Sequence, residues 1–409
     1  MAIVYPFRAL RPRAAEAARI AAPPYDVVST EEARVLAAGN PLSFLRVSHA
    51  EIELPPGTDS FSTAVYDRAA TNFTRLREAA FILETEPSTY LYRLRTDGHE
   101  QTGLAACFSL DEYDRDVIKK HERTRRDKED DRTRHMMALG AQTGPVFLTY
   151  RASDEIDALE DRITSGAPVY DFDAADGVRH TIWRARPEET TALVAAFARI
   201  PSAYIADGHH RAASAARARD ETRQKRAPHP LPGDDADCTT VLAVAFPHDQ
   251  VRILPYNRVV RDLARLDDQE FLQRVSERFE VRPGISTPSR RGEIGMYFRG
   301  SWSMLTSRVG PVADVVAALD VSVLQDALLA PILEIEDVRT STRIDFVGGS
   351  RGPGELERLV DSGEASVAFS MFPVSVADLM AVSDAGAILP PKSTWFEPKL
   401  RDGLLIHLI

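Results

Sequence analysis

Asp207, Gly208, His209, His210 and Arg211 stand consecutively in YIADGHHRAASAARAR, where an apolar run meets an Ala-rich one. An aspartate, a glycine, two imidazoles and a guanidinium are residue types suited to holding an anion. If the apolar run is a strand ending at Ala206 and the Ala-rich run is a helix, the unpaired N–H groups and the positive end of the helix dipole fall at Gly208 to Arg211. Gly208 allows close approach of the backbone. His210 and Arg211, three and four positions beyond Asp207, project from the first turn toward the same ligand, and Arg211 suits bidentate contact with a phosphate. A simple capping role would account for Asp207 but leave its four neighbours unexplained. Ala212, Ala213, Ala215 and Ala216 then permit the helix to pack closely on a sheet.

A second constellation lies upstream in KKHERT. Phosphoryl transfer to an alcohol needs in-line positioning, charge neutralisation and a carboxylate that takes the hydroxyl proton. Glu122 is a candidate for that base, with Lys119, Lys120, His121 and Arg123 placed to keep it ionised or to bind the donor. An exposed charged loop accounts for the same letters. A metal-hydrolase reading would use His121, Glu122, Asp207, His209 and His210, but its spacing is poor. HERTR carries Arg125 where H-E-x-x-H requires histidine, and adjacent histidines on a helix diverge. A magnesium ion bridging phosphates needs only one or two carboxylates, which Asp207 or Glu122 would supply.

The elements that must position these residues alternate between α and β. Pro23 and Pro24 force an extended entry, and Ser29 with Glu32 forms a capping box for a following helix. A helix is expected around Ser62 to Glu78, then a hairpin from Tyr90 to Leu110 turning at Asp97-Gly98. Lys128 to Gln142 reads as a helix ended by Gly144-Pro145, followed by a buried strand in PVFLTY. Strands follow in HTIWRAR and SAYIA with a helix near Glu188 to Arg199 between them. The stretch Arg226 to Asp237 reads as a surface loop. Beyond it come the strand TTVLAVAF, the segment VRILPYNRVV, a helix near Asp267 to Phe279, a hairpin across Arg299-Gly300 and an amphipathic helix around Val321 to Leu333. SVAFSMF alternates Val367, Phe369 and Met371 on one face, Ser375 with Asp378 caps a helix, and LLIHLI closes the chain as a strand.

Composition narrows the function classes. The chain has 409 residues, 44% of them apolar and 27% charged, and no apolar run approaches the ~18 to 20 residues of a membrane span. That length calls for more than one lobe. A net charge of -11 argues against a general nucleic-acid scaffold. Two cysteines, Cys107 and Cys238, in apolar surroundings point to structural thiols in a reducing compartment. The N-terminus lacks the ordered regions of a secretory signal, so a cytoplasmic location is expected. Asn257 and Arg258 in PYNRVV either reach the site or fix a bend after Pro255. Trp183, Trp302, Met136 and Met137 read as core, the mixed-sign run Arg217 to Arg226 as a solvated face, and Gly348 to Gly354 as a loop.

YIADGHHRAASA resembles the DGHHR phosphate-binding motif of free-serine kinases, members of the ParB and sulfiredoxin-like nucleotide-binding superfamily. KKHERT resembles the element that carries their catalytic glutamate, which falls on Glu122 beside His121. VAFSMFPVSVADLMAVSDAGAILPPKSTWFEPKL resembles their C-terminal strand, helix and Pro-Lys-Thr-Thr loop, which falls on Pro391, Lys392, Ser393 and Thr394. Here the loop continues as Trp395 and Phe396, where the kinase pattern has Arg-His. The chain also looks like a larger bacterial family labelled mainly as of unknown function, through PPYDVVS, HERT, DGHHR, PYNRVV and PPKSTWFEPKL.

The resemblance implies a mixed α/β (α+β) fold with a ParB/sulfiredoxin-like nucleotide-binding core, expected here at 111–262 between an N-terminal lobe at 1–110, which has no counterpart in the kinases, and a C-terminal lobe at 263–409. It implies a kinase passing a phosphoryl group from ATP or ADP, with Mg2+, to free L-serine or a similar amino acid. Glu122 and Asp207 would be catalytic, with Asp207 also a magnesium ligand. Gly208, His209, His210, Arg211 and His121 would hold the nucleotide. Lys392, Ser393 and Thr394 would hold the acceptor; Tyr25 and Asp26 either line the same cleft as binding residues or only form the turn before the capped helix. A non-catalytic nucleotide-binding regulator and a phosphohydrolase are the alternatives, and neither nucleic acid nor membrane is expected as a partner.

Overall fold

A computed structural model describes residues 1–226, 238–308, 310 and 313–409. Its contacts divide the chain into two units, one of residues 1–251 with 398–409 and one of residues 252–397. The architecture is mixed α/β, with strands in both units and helices between them.

In the first unit the apolar runs build one nine-stranded mixed sheet. Its order from one edge is Ile118–Lys119, Ala203–Asp207, Val146–Tyr150, Thr240–Pro247, His99–Ser109, Tyr90–Thr96, Arg179–Arg184 and Tyr170–Asp173, with Val4–Tyr5 pairing to His99–Ser109. The expected hairpin closes with Thr96 opposite His99, and Gly98 takes the positive φ (+72°) that its turn demands. Leu104, Phe108, Leu148, Tyr150 and Ile205 fill the core against Ala212, Ala215 and Ala218, so the small residues do set the helix His209–Arg226 close on the sheet. The helix Thr30–Leu36 has its Ser29 and Glu32 capping box, and the helix Thr63–Ala80 follows as expected.

The second unit is a six-stranded antiparallel sheet ordered Phe279–Pro283, Ser301–Ser307, Glu293–Phe298, Val367–Met371, Tyr256–Val260 and Ile344–Gly348. Phe271, Val275, Phe279, Phe369 and Met371 belong to its core. The helices Asp268–Arg278 and Val376–Asp384 both begin with capping boxes, at Asp267 and at the expected Ser375.

Several expectations need correction. The unit boundaries do not fall at 110 and 262, because His99–Ser109 pairs with both Val4–Tyr5 and Thr240–Pro247, which merges the expected N-terminal lobe and core into one sheet. The last residues leave the C-terminal lobe as well: His407–Leu408 pairs with Ala141–Gln142, and Ile406 bridges Leu10. The helix Arg126–Leu139 stops before Gly144-Pro145, since Gly140 adopts the left-handed C-cap (φ +59°). Asp320–Leu324 is a short α-helix that widens into a π turn at Gln325–Leu329 and does not continue to Leu333. Gly348 to Gly354 is more than a loop: it ends a strand, makes a 3-10 turn and opens the helix Gly352–Asp361. The expected loop lies outside the described residues at 227–237, while Arg226 still belongs to its helix. Cys107 and Cys238 are buried and form no disulfide.

Candidate functional site

The strand Ala203–Asp207, one position in from an edge of the large sheet, leads into the DGHHR residues. Its pairing with Val146–Tyr150 slips between Ile205 and Asp207, a bulge that re-aims the strand end at the point where Asp207 must leave the ladder. Gly208 follows at φ +94°, a conformation that L side chains rarely adopt, and the Gly208 carbonyl accepts from the Ala212 N–H to begin the helix. The first-turn N–H groups of that 18-residue helix have no intrahelical acceptor, and the positive end of its dipole lies here.

Parallel pairing of Ile118–Lys119 with Ala203 and Tyr204 carries the HERT segment alongside. The two motifs are clasped through backbone groups. The His121 N–H donates to Nε2 of His209 at 3.4 Å, and the Arg125 N–H donates to Nε2 of His210 at 3.0 Å. Both histidines of the doublet therefore hold the 121–125 segment, a role that residue type alone did not announce. They also diverge as adjacent helical residues should, with only His209 facing His121 and Glu122. The His121 and His209 rings meet edge to face with centroids 4.4 Å apart. Nδ1 of His209 lies 3.9 Å from a Glu122 carboxylate oxygen, and the Glu122 side chain is 43% exposed. His121, Glu122 and His209 each bring a ligand atom within 4.8 Å of the others.

Burial governs the protonation of this group. It lowers His121 to about 4 against the opposing pull of Asp207, and it holds His209 well below the ordinary imidazole value with His121 adding to the effect. His210 is lowered by burial too, with Asp26 and Glu129 pulling the other way. All three imidazoles are neutral near pH 7.

Asp207 is half-buried and ion-paired. Nζ of Lys399 donates to one carboxylate oxygen at 2.8 Å, and Arg211 stands 4.0 Å from the other. Burial pushes the carboxyl up, but Lys399 and Arg211 outweigh it and hold it below the usual carboxylate range. With two cations already on it, Asp207 does not fit the expected role of magnesium ligand. Arg211 is buried, donates to the Pro145 carbonyl, and leaves Nε without a hydrogen-bond partner against Gly208. Burial disfavours its charge, which Asp26, Asp207 and Asp402 sustain. It thus lies beneath the loop as a neutralising cation, in place of the projecting bidentate arm that the sequence suggested.

Tyr25 and Asp26 do reach this neighbourhood. Asp26 acts electrostatically on His210 and Arg211, the Arg132 guanidinium lies 4.1 Å over the Tyr25 ring, and burial pushes the Tyr25 hydroxyl up. Lys399, Asp402 and Arg132 escaped the sequence reading. A usable signal was Arg401-Asp402, two charges immediately before an apolar terminal run. The run Arg217 to Arg226 is solvated only in part: Arg217 pairs with Asp130 at 2.5 Å and Arg219 is buried against Asp114 and Asp220, while Asp220, Arg223 and Gln224 are exposed.

Lys392, Ser393 and Thr394 belong to the second unit. Lys392 is exposed in the left-handed region (φ +57°), with its ammonium 5.6 Å over the Tyr256 ring. Ser393 is buried and donates to the Pro390 carbonyl, while Thr394 is half-buried. Arg258 is buried, donates to the Lys392 carbonyl at 3.2 Å, and is lowered to about 10 by desolvation. Asn257 accepts from the Met371 N–H, a structural bond within the sheet.

No helix among the described residues is long and apolar enough to cross a membrane. No curated protein matches the chain. Among solved structures, it is similar to a conserved hypothetical protein from Pyrococcus furiosus, at 15% identity over 74% of this chain and 95% of that one, with a TM-score of 0.36. It is also similar to a free serine kinase in complex with AMP, at 14% identity over 73% and 91% with a TM-score of 0.37. A third is SbnI with a C-terminal truncation from Staphylococcus aureus, at 12% identity over 73% and 85% with a TM-score of 0.37. The family described as "Protein of unknown function (DUF1015)" matches residues 4–322, more than half of the sequence, and the chain belongs to that family.

Proposed function

We propose that the chain is a cytoplasmic small-molecule kinase that transfers a phosphoryl group from ATP or ADP to the hydroxyl of free L-serine or a similar amino acid. The observation that carries this reading is the clasp between the motifs: His209 and His210 accept from the backbone of residues 121 and 125, which holds the Glu122 carboxylate beside the start of the helix His209–Arg226. A proton acceptor next to a helix N-terminus is the minimum that phosphoryl transfer to an alcohol requires. The likeness of HERT and DGHHR to the free-serine kinase motifs supports the same assignment.

In this reading the N–H groups at Gly208 to Arg211 receive the donor phosphates, with the Arg211 charge beneath them. His121 and the histidine doublet keep the segment in place. The acceptor oxygen attacks the terminal phosphorus as its bond to the leaving phosphate breaks, the hydroxyl proton passes to Glu122, and ADP or AMP departs. A magnesium ion carried by the nucleotide would neutralise charge on its phosphates. The Asp207 carboxylate, fixed by Lys399, orients the acceptor. Tyr25 and Asp26 are assigned to acceptor binding by their nearness to His210, and Lys392, Ser393 and Thr394 by the resemblance alone. The net charge of -11 agrees with a small-molecule substrate in preference to nucleic acid.

The test is phosphoryl transfer followed by phosphorus NMR, with ATP or ADP, magnesium, and L-serine, L-threonine, L-homoserine or no acceptor. O-phosphoserine is expected only with serine present. Glu122→Gln should cut its formation by about 10²- to 10⁴-fold with nucleotide affinity retained. Nucleotide binding without product would make the chain a regulator, and nucleotide breakdown without acceptor would make it a phosphohydrolase; either result overturns the kinase.

A further inference from the structure

His121, Glu122 and His209 come from two segments some ninety positions apart, so no local spacing identifies them as a set, yet their ligand atoms lie within 4.8 Å of one another. His121 is 2% exposed, and its Nδ1 has no hydrogen-bond partner. A buried imidazole nitrogen left in that state is unfavourable whether it carries the proton or the lone pair. His209 is buried beside it, and its Nε2 takes only a long 3.4 Å bond from the His121 N–H. Glu122, partly exposed, opens the group to solvent and supplies the negative charge.

We propose that these three side chains bind a transition-metal dication of the zinc(II) class. Two imidazoles and one carboxylate suit such an ion better than magnesium, which prefers all-oxygen coordination. Donors about 2.1 Å from a shared ion stand roughly 3.4 Å apart at the tetrahedral angle. The 3.9 Å between His209 Nδ1 and Glu122 is therefore close to a metal-spanning distance already, and closing the set needs shifts of about 1 Å or less. Three protein ligands leave the remaining coordination positions to water. His210, turned to Arg125, takes no part. The ion would also occupy the carboxylate to which the kinase reading gives the acceptor proton, so loading the site would suppress phosphoryl transfer; that consequence rests on the kinase reading, whereas the site does not.

Cobalt(II) titrated into the metal-free full chain, followed by visible absorption, reads coordination directly and needs no catalysis. One equivalent per chain is expected, with a d–d spectrum of low coordination number that zinc(II) abolishes and a large excess of magnesium does not. Glu122→Gln and His209→Ala, each checked for native circular dichroism, should weaken cobalt binding by more than about tenfold, since loss even of groups supporting a ligand costs that much. Wild-type protein that takes up no cobalt, or variants that bind it as tightly as wild type, would overturn the site. Metal uptake without any kinase product would sustain the site and sink the kinase. Product whose formation zinc does not inhibit, together with absent metal uptake, would do the reverse.

Discussion

Asp402 provides a quantitative test of the buried charge cluster behind the site. It is 4% exposed, its Oδ1 has no hydrogen-bond partner, and burial raises its pKa from 3.8 to about 7. Arg211, Arg132 and His49 draw the carboxyl toward ionisation, Asp26 repels it, and desolvation prevails. Between those two values the folded chain binds more protons than the unfolded one, so this residue's contribution to stability is full below pH 3.8 and is lost as the pH rises through 7. The loss amounts to about 1.4 kcal/mol per pH unit, or roughly 4 kcal/mol once the shift is spent. Asp402→Asn removes the titration with little change of shape. The unfolding free energy of the variant minus that of wild type should be constant at the acid end, widen in the variant's favour by about 3 kcal/mol at pH 6, and level off above pH 7. Urea unfolding of both proteins at closely spaced pH values, followed by circular dichroism, measures that difference while cancelling the titrating groups that do not interact with Asp402. A difference that stays flat across the interval would refute the claim that Asp402 is protonated by burial.

Three further outcomes follow from the same geometry. His135, buried with Nε2 on the Val47 carbonyl and lowered to about 4, has the opposite sign: its stabilising contribution is full above pH 6.5 and disappears as the pH falls toward 4, by roughly 3 kcal/mol. His135→Gln should remove that part of the acid destabilisation, and an unchanged acid limb in the same urea experiment would contradict it. Gly208→Ala should cost about 1 to 3 kcal/mol, because φ is +94° and the new Cβ would stand 3.0 Å from Nε of Arg211. A melting temperature equal to wild type would show that the turn is not strained by a side chain. His210→Ala releases the Arg125 N–H, whose hydrogen exchange should accelerate by about tenfold, the equivalent of one hydrogen bond, and undiminished protection there would remove the clasp.

Local signals proved sufficient at several caps and turns, where a residue acts on its own neighbours in sequence. The caps at Ser29 and Ser375, the Asp97-Gly98 turn and the alanines of the DGHHR helix all behave as their letters indicate, since caps, turns and side-chain volume operate over a few positions. The failures have two causes, one local and one tertiary. Gly140 stopped a helix earlier than a more conspicuous Gly-Pro pair, because helix ends follow whichever residue first accepts the left-handed cap. Arg211 looks like a phosphate arm until Pro145, Asp207 and Asp402 surround it, and none of them is visible from a helical window.

What the sequence determined by itself is the chemistry on offer: a strand that gives way to a helix at Gly208, N–H groups without intrahelical acceptors in that helix's first turn, and a carboxylate in HERT. Tertiary structure decided what that chemistry faces. A parallel pairing too short to announce itself in sequence, Ile118 with Ala203, sets Glu122 beside His209, and the returning C-terminal segment brings Lys399 onto Asp207. Both depend on contacts between residues some eighty to two hundred positions apart. Such contacts are selected by the burial of a whole sheet, and a local pattern of letters carries no record of which strands that burial will make neighbours.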